Sequence, residues 1–138
     1  MKAMPLALAL VALTIVAGCG PRRLLVPVHG RVFFDGQPLA FGSVSFQGAS
    51  GQPATAAIGP DGTFVLAVIG EGPGAVEGRN RVIVACYEGQ RRPAAPSGGE
   101  LHLGASLIPE RYTSYETSGL VIDVQPGMRL PVELQLTR

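Results

Sequence analysis

The stretch Arg81-Val82-Ile83-Val84-Ala85-Cys86-Tyr87 alternates with period 2. Val82, Val84 and Cys86 fall on one face, and Arg81, Ile83, Ala85 and Tyr87 on the other. It is the most hydrophobic strand pattern after the N-terminal segment, and it predicts a strand at the centre of a sheet. The same period continues on both sides. Towards the N-terminus, Gly70 to Gly78 holds four Gly and one Pro and reads as a loop. Thr63 to Ile69 predicts one strand with Phe64, Leu66 and Val68 inward, entered through the Pro60-Asp61-Gly62 turn. Ala54 to Ile58 is a weak strand of small residues, suited to a sheet edge. Ser43, Ser45 and Gln47 alternate with Val44 and Phe46. Val26 to Phe34 predicts a strand with Val26, Val28, Val32 and Phe34 on one side, closed by Asp35-Gly36. Towards the C-terminus, Leu120 to Val124 ends at Gln125-Pro126-Gly127. Leu130, Val132, Leu134 and Leu136 then point inward from the last strand.

These segments make about seven short strands joined by Gly/Pro turns, with no helix pattern after the first residues. The expected fold is all-β: a seven-stranded antiparallel Greek-key β-sandwich over residues 26–138. The bulk numbers agree. A chain of 138 residues allows one domain, and 19 Gly with 12 Pro suit turns better than helices. Only 15% of residues are charged and the formal charge is +1, which implies no nucleic-acid partner.

Met1 to Gly18 has a different character, MKAMPLALALVALTIVAG with Lys2 as its one charge. Leu6 to Ala17 is apolar apart from Thr14. Twelve helical residues span ~18 Å, short of a ~30 Å hydrocarbon core. A basic start, an apolar stretch and small residues at its end predict a helical signal peptide over residues 1–18. Val16-Ala17-Gly18-Cys19 resembles the bacterial lipobox. That resemblance implies a diacylglyceryl thioether on Cys19, cleavage before it, and residues 19–25 as a tether. Without Lys2 the remaining chain balances Arg against Asp plus Glu, so the acyl chains must supply the membrane attachment. The expected location is the cell envelope, lipid-anchored, on the periplasmic or outer-membrane side.

Cys86 then has no cysteine to pair with in an exported chain, and its alternation makes it a small core residue. Catalytic candidates are few. His29 lies on the polar face of its strand. Glu100 and His102 make two ligands at most, too few for a metal site. Asp35 and Asp61 precede Gly and are accounted for by turn chemistry. No nucleophile, metal or phosphate-loop motif is present, so neither catalytic residues, a metal nor a cofactor is expected.

Several clusters carry a family likeness. Val28-x-Gly30-x-Val32, Gly36-x-Pro38-Leu39 and Val44-x-Phe46 resemble the opening of the carboxypeptidase regulatory-like domains, which are transthyretin-like sandwiches. Asp61-Gly62-x-Phe64-x-Leu66 is similar to their next signature. Gly78 followed by Val82-x-Val84 resembles their Gly-x-Tyr-x-Val strand, with Asn80 in place of the aromatic. Ile108-Pro109-x-Arg111-Tyr112 and Ser118-Gly119-Leu120 look like the C-terminal part of small bacterial lipoproteins of this kind. The likeness implies a fold and brings no catalytic residues with it.

The longest irregular stretch is Glu88 to Pro109. Loops on a rigid scaffold carry recognition, and this one holds Arg91 and Arg92 beside prolines. Tyr112 and Tyr115 follow closely. These four residues are the expected contact surface for an envelope protein or a glycan. The alternative is an accessory subunit or small enzyme with an unrecognised site.

Overall fold

A computed structural model describes residues 24–49, 51–91, 103–128 and 131–138. The signal peptide and most of the tether, including Cys19, lie outside the described residues, as do Arg92, Glu100, His102 and Leu130.

The described chain is mostly β. In order, the strands are β1 (Leu25–Val26), β2 (His29–Phe34), β3 (Gln37–Pro38), β4 (Ser43–Gln47), β5 (Ala54–Ala57), β6 (Thr63–Val65), β7 (Ala67–Val68), β8 (Gly72–Pro73), β9 (Ala75–Val76), β10 (Gly78–Ala85), β11 (Leu120–Val124) and β12 (Val132–Leu136). Two short 3-10 turns, Glu88–Arg91 and Glu110–Thr113, interrupt them. The larger sheet runs β11-β10-β4-β5-β7-β8, antiparallel throughout. The smaller one runs β12-β2-β3, with β6 also paired to β2. A two-stranded β1-β9 ladder completes the set.

Period 2 sends alternate side chains of both sheets into one core. Val44 and Phe46 of β4, Val82 and Val84 of β10, Val32 of β2, and Leu134 and Leu136 of β12 are all buried there. Phe46 of the larger sheet meets Phe64 of the smaller, with ring centroids 6.1 Å apart and tilted by 52°. Each such side chain contributes roughly 1.5–3 kcal/mol by leaving water. Cys86 is fully buried and unpaired, as its alternation with Val82 and Val84 requires.

Four features depart from the alternation reading. Thr63 to Ile69 is not one strand. Its first half pairs with β2 in the smaller sheet, and its second half pairs with β5 in the larger. The crossing falls at Leu66, whose N–H donates to the Val28 carbonyl at 3.0 Å while its side chain stays fully buried. The side chains keep alternating through the crossing, so the pattern carries no mark of it. Ala54 to Ala57 is not an edge, because β5 has β4 on one side and β7 on the other. Its small residues suit a position flanked on both sides. The Gly70 to Gly78 loop contains β8 and β9, and Leu25, assigned to the tether, already pairs with Val76.

The fourth concerns the last strand, which runs parallel to β2 and not antiparallel. Gly30 permits this closure. A Cβ at Gly30 would stand 2.1 Å from the Val132 carbonyl oxygen and 2.7 Å from the Phe64 ring. Only a residue without a side chain lets the three elements meet there.

Candidate functional site

The outward face of the larger sheet is made largely of small and polar side chains, with Ile83 and Val121 as its larger apolar members. The registers place Ser45 beside Ile83 and Thr55, and Ser43 beside Ala85 and Ala57. Arg81 stands opposite Gln47 on the same face. Two later segments fold back over this face, and each brings one of the expected contact residues.

The first is the Glu110–Thr113 turn and its exit. Thr113 Oγ1 donates to the Glu110 carbonyl at 2.6 Å, and Thr117 Oγ1 to the Arg111 carbonyl at 2.7 Å. Ser118 is buried and its Oγ donates to the Val82 carbonyl at 2.6 Å. Ser, Thr and turn residues therefore hold the segment at both ends. Tyr115 is thereby set over β4, with its hydroxyl 2.9 Å from Ser45 Oγ. The Arg81 guanidinium lies over its ring, 5.7 Å from the centroid. Beside them, the Ser114 hydroxyl donates to Glu116 at 2.5 Å. That bond, with the Glu116 backbone and the Arg81 charge, holds the Glu116 carboxyl below its usual range.

The second is the Glu88–Arg91 turn. Gln90 Oε1 accepts the Tyr87 N–H at 2.8 Å, and the Gly89 N–H donates to the Leu103 carbonyl at 2.8 Å. Arg91 then lies over Phe41, 5.4 Å from the ring centroid. A pair of this kind at an exposed site is worth about 0.5–1 kcal/mol, enough to bias the position of the guanidinium. Phe41 is brought to the end of β10 by Gly42. There φ is +120°, and a Cβ would stand 2.4 Å from the Ala85 carbonyl oxygen. Below this corner, burial pushes the Cys86 thiol up, against a smaller opposing influence from Arg91. A raised, buried thiol is a poor nucleophile.

An open trough of about 610 Å³ lies on this face, walled by Phe41 and Gln90, with Ser43, Thr55 and Ile58 among its lining. Its chemistry is mixed. Ser43 and Thr55 carry hydroxyls, Phe41 and Ile58 offer apolar contact, and Arg91 adds a positive charge at the rim. Such a surface can hydrogen-bond and stack a polar ligand. Among its described residues no base is paired with a nucleophile.

Of the four expected contact residues, the structure brings Arg91 and Tyr115 to one sheet face. Arg92 lies outside the described residues. Tyr112 belongs elsewhere, since it is 5% exposed and part of the core. Its burial would raise the phenol, but the Thr137 backbone N–H and the Arg111 guanidinium outweigh this and hold it below its usual value. Phe41 and Arg81 were not anticipated. An aromatic before a positive-φ Gly was the available signal for Phe41, and outward alternation beside Ile83 was the signal for Arg81.

Asn80 is 1% exposed at the start of β10. Its Nδ2 donates to the Val76 and Gly78 carbonyls, both at 2.9 Å, and ties β9 to β10. It fills by hydrogen bonding a position where the resemblance leads one to expect an aromatic. Among the described residues no three His, Cys, Asp or Glu side chains are grouped so as to share a metal ion. No helix among them is long and apolar enough to cross a membrane. The chain matches no protein-family model, no curated protein and no solved structure.

Proposed function

We propose that this is a lipid-anchored cell-envelope protein whose β-sandwich binds an envelope protein or glycan without catalysing a reaction. One observation carries the binding reading. Arg91 and Tyr115 come from separate segments, yet both stand over the outward face of one sheet, Arg91 on Phe41 at the wall of a hydroxyl-lined trough and Tyr115 on Ser45 beneath the Arg81 guanidinium. Stacked aromatic and guanidinium groups are already ordered, which lowers the entropy cost of engaging a partner.

The fold reading within this proposal is a Greek-key, transthyretin-like sandwich. It is supported by the spatial order β10-β4-β5-β7, antiparallel at every step. Within this sheet β4, β5 and β7 follow in chain order, with β6 crossing to the other sheet between the last two, and β10 returns beside β4, which supports a 4-1-2-3 Greek-key reading. The anchor reading rests on the Val16-Ala17-Gly18-Cys19 motif at the end of an apolar segment.

Two experiments test the proposal. Cys19→Ser should block processing and abolish incorporation of a fatty-acid analogue; undiminished labelling removes the anchor. For binding, the full chain is incubated with purified cell-wall glycan and, separately, with solubilised envelope proteins. Arg91→Ala with Tyr115→Ala should lower retention at least about tenfold, the effect of losing ~1.4 kcal/mol. Retention unchanged in that double variant, with folding intact, removes this face as the contact surface.

A further inference from the structure

Strand registers sort the exposed groups of the larger sheet to its two ends. Ser43 pairs with Ala85 on one side and Ala57 on the other, so β4 begins where β10 and β5 finish. Phe41, Arg91 and the trough lie at that end. At the opposite end β5 begins at Ala54, which pairs with Val68. β7 runs off this end into a turn where the Glu71 N–H returns to the Val68 carbonyl at 3.1 Å. Ile69 in that turn is 77% exposed.

The N-terminal strand arrives at the same end. Leu25 pairs with Val76. Val76 in turn is bonded to the Asn80 side chain in the first half of β10, and its Cβ lies 3.5 Å from where a Cβ at Gly48 would stand, just past the finish of β4. The Glu77 N–H donates to the Leu24 carbonyl at 3.4 Å, and Leu24 is 59% exposed. Two large apolar side chains from separate segments are thus left in water at the end where the chain enters the domain. Each would leave water if that end were covered.

Five residue steps separate Leu24 from Cys19, a reach of at most about 18 Å. A lipid on Cys19 therefore keeps this end close to the membrane. We propose that the end bearing Leu24 and Ile69 rests on the lipid surface beside the anchor, so that the trough at the far end of the sheet faces away from the membrane. The inference rests on Cys19 being the lipid site. Glu71 and Glu77 are exposed near the same two side chains. Their carboxylates keep the contact within the headgroup layer and weaken it on an anionic surface relative to a zwitterionic one.

The test uses the full processed chain in phosphatidylcholine vesicles containing nitroxide-labelled lipid. Single fluorophores are placed at Leu24→Cys, Ile69→Cys and, as the distant control, Gln37→Cys. Gln37 is exposed and pairs with Phe34 at the far end of β2. Cys86 is buried and stays in place. Mass measurement of the N-terminal peptide establishes whether Cys19 carries lipid. The Leu24 and Ile69 probes should be quenched at least about threefold more than the Gln37 probe, as contact within the outer ~5–10 Å of the bilayer requires. Equal quenching at all three sites on a lipidated chain overturns the orientation and leaves the anchor standing. A Cys19 free of lipid overturns both.

Discussion

Tyr112 and Thr137 exchange two hydrogen bonds across 25 residues of sequence: the phenol donates to the Thr137 carbonyl at 3.2 Å and accepts the Thr137 N–H at 2.9 Å. Arg111 strengthens the joint, donating to the same carbonyl at 2.6 Å and to the phenol at 3.0 Å. The Glu110–Thr113 turn is in this way fastened to the chain just past β12. The same turn leads into the segment that carries Tyr115. The Tyr112 phenol and the Arg111 guanidinium together fix the start of that segment to the end of the smaller sheet.

Tyr112→Phe keeps the buried ring and removes that oxygen. The Thr137 N–H is left without its partner, so the change should cost about 1–2 kcal/mol. Urea unfolding of the two chains measures it. A cost within error of zero would show that water replaces the phenol freely.

Gly30→Ala should destabilise the protein by about 1–3 kcal/mol or more, because the new methyl meets backbone at Val132 and not a movable side-chain tip. Loss of protection at β12 amides in hydrogen exchange would locate the damage at the parallel pairing. A chain as stable as the parent would contradict the close approach of β2 and β12.

The two faces of β10 should respond differently to charge. Val84 is fully buried and Ile83 is half-buried on the outward face. Val84→Asp puts an unpaired carboxylate in the core, a cost of several kcal/mol that should abolish cooperative melting. Ile83→Asp should melt cooperatively, at a lower temperature than the parent. Equal losses from the two would mean that the outward face is covered.

Cys86 should resist thiol reagents at neutral pH until denaturant is added, since it is buried and its thiol is held above the usual value. Rapid modification of the native chain would place it at the surface.

Asp61 should titrate below an ordinary aspartate. The Thr63 hydroxyl bonds its carboxylate at 2.6 Å, the Thr63 N–H at 3.3 Å, and Arg31 adds a smaller attraction. With the folded value lowered, its contribution to stability is present above the unfolded value of about 3.9 and is lost as pH falls through the folded one. Thr63→Ala should raise the Asp61 titration towards the ordinary range in a carbon-13 carboxyl experiment. An unmoved titration would assign the shift to something other than Thr63.

Much of this molecule could be read from side-chain order. Val82, Val84 and Cys86 alternate with Arg81, Ile83 and Ala85, and burial follows that alternation residue by residue. The reason is geometric, since a strand's two faces differ by one residue and only one face can leave water. Turn positions were legible for a similar reason, as at Asp61-Gly62, where φ of +83° suits Gly alone. Which strand lies beside which was not legible. Hydrogen bonds between strands are made by backbone groups common to all residues, so nothing in Thr63 to Ile69 marks the passage between sheets at Leu66. Nothing in Val132 to Leu136 announces a parallel neighbour either. Tyr112 shows the same limit on a smaller scale. A tyrosine in a polar stretch reads as exposed, and only the return of Thr137 to meet its hydroxyl makes burial affordable. The meeting of Arg91 with Phe41 and of Tyr115 with Ser45 is likewise a product of the fold, because residues distant in sequence become neighbours only after the core has set the registers that bring them together.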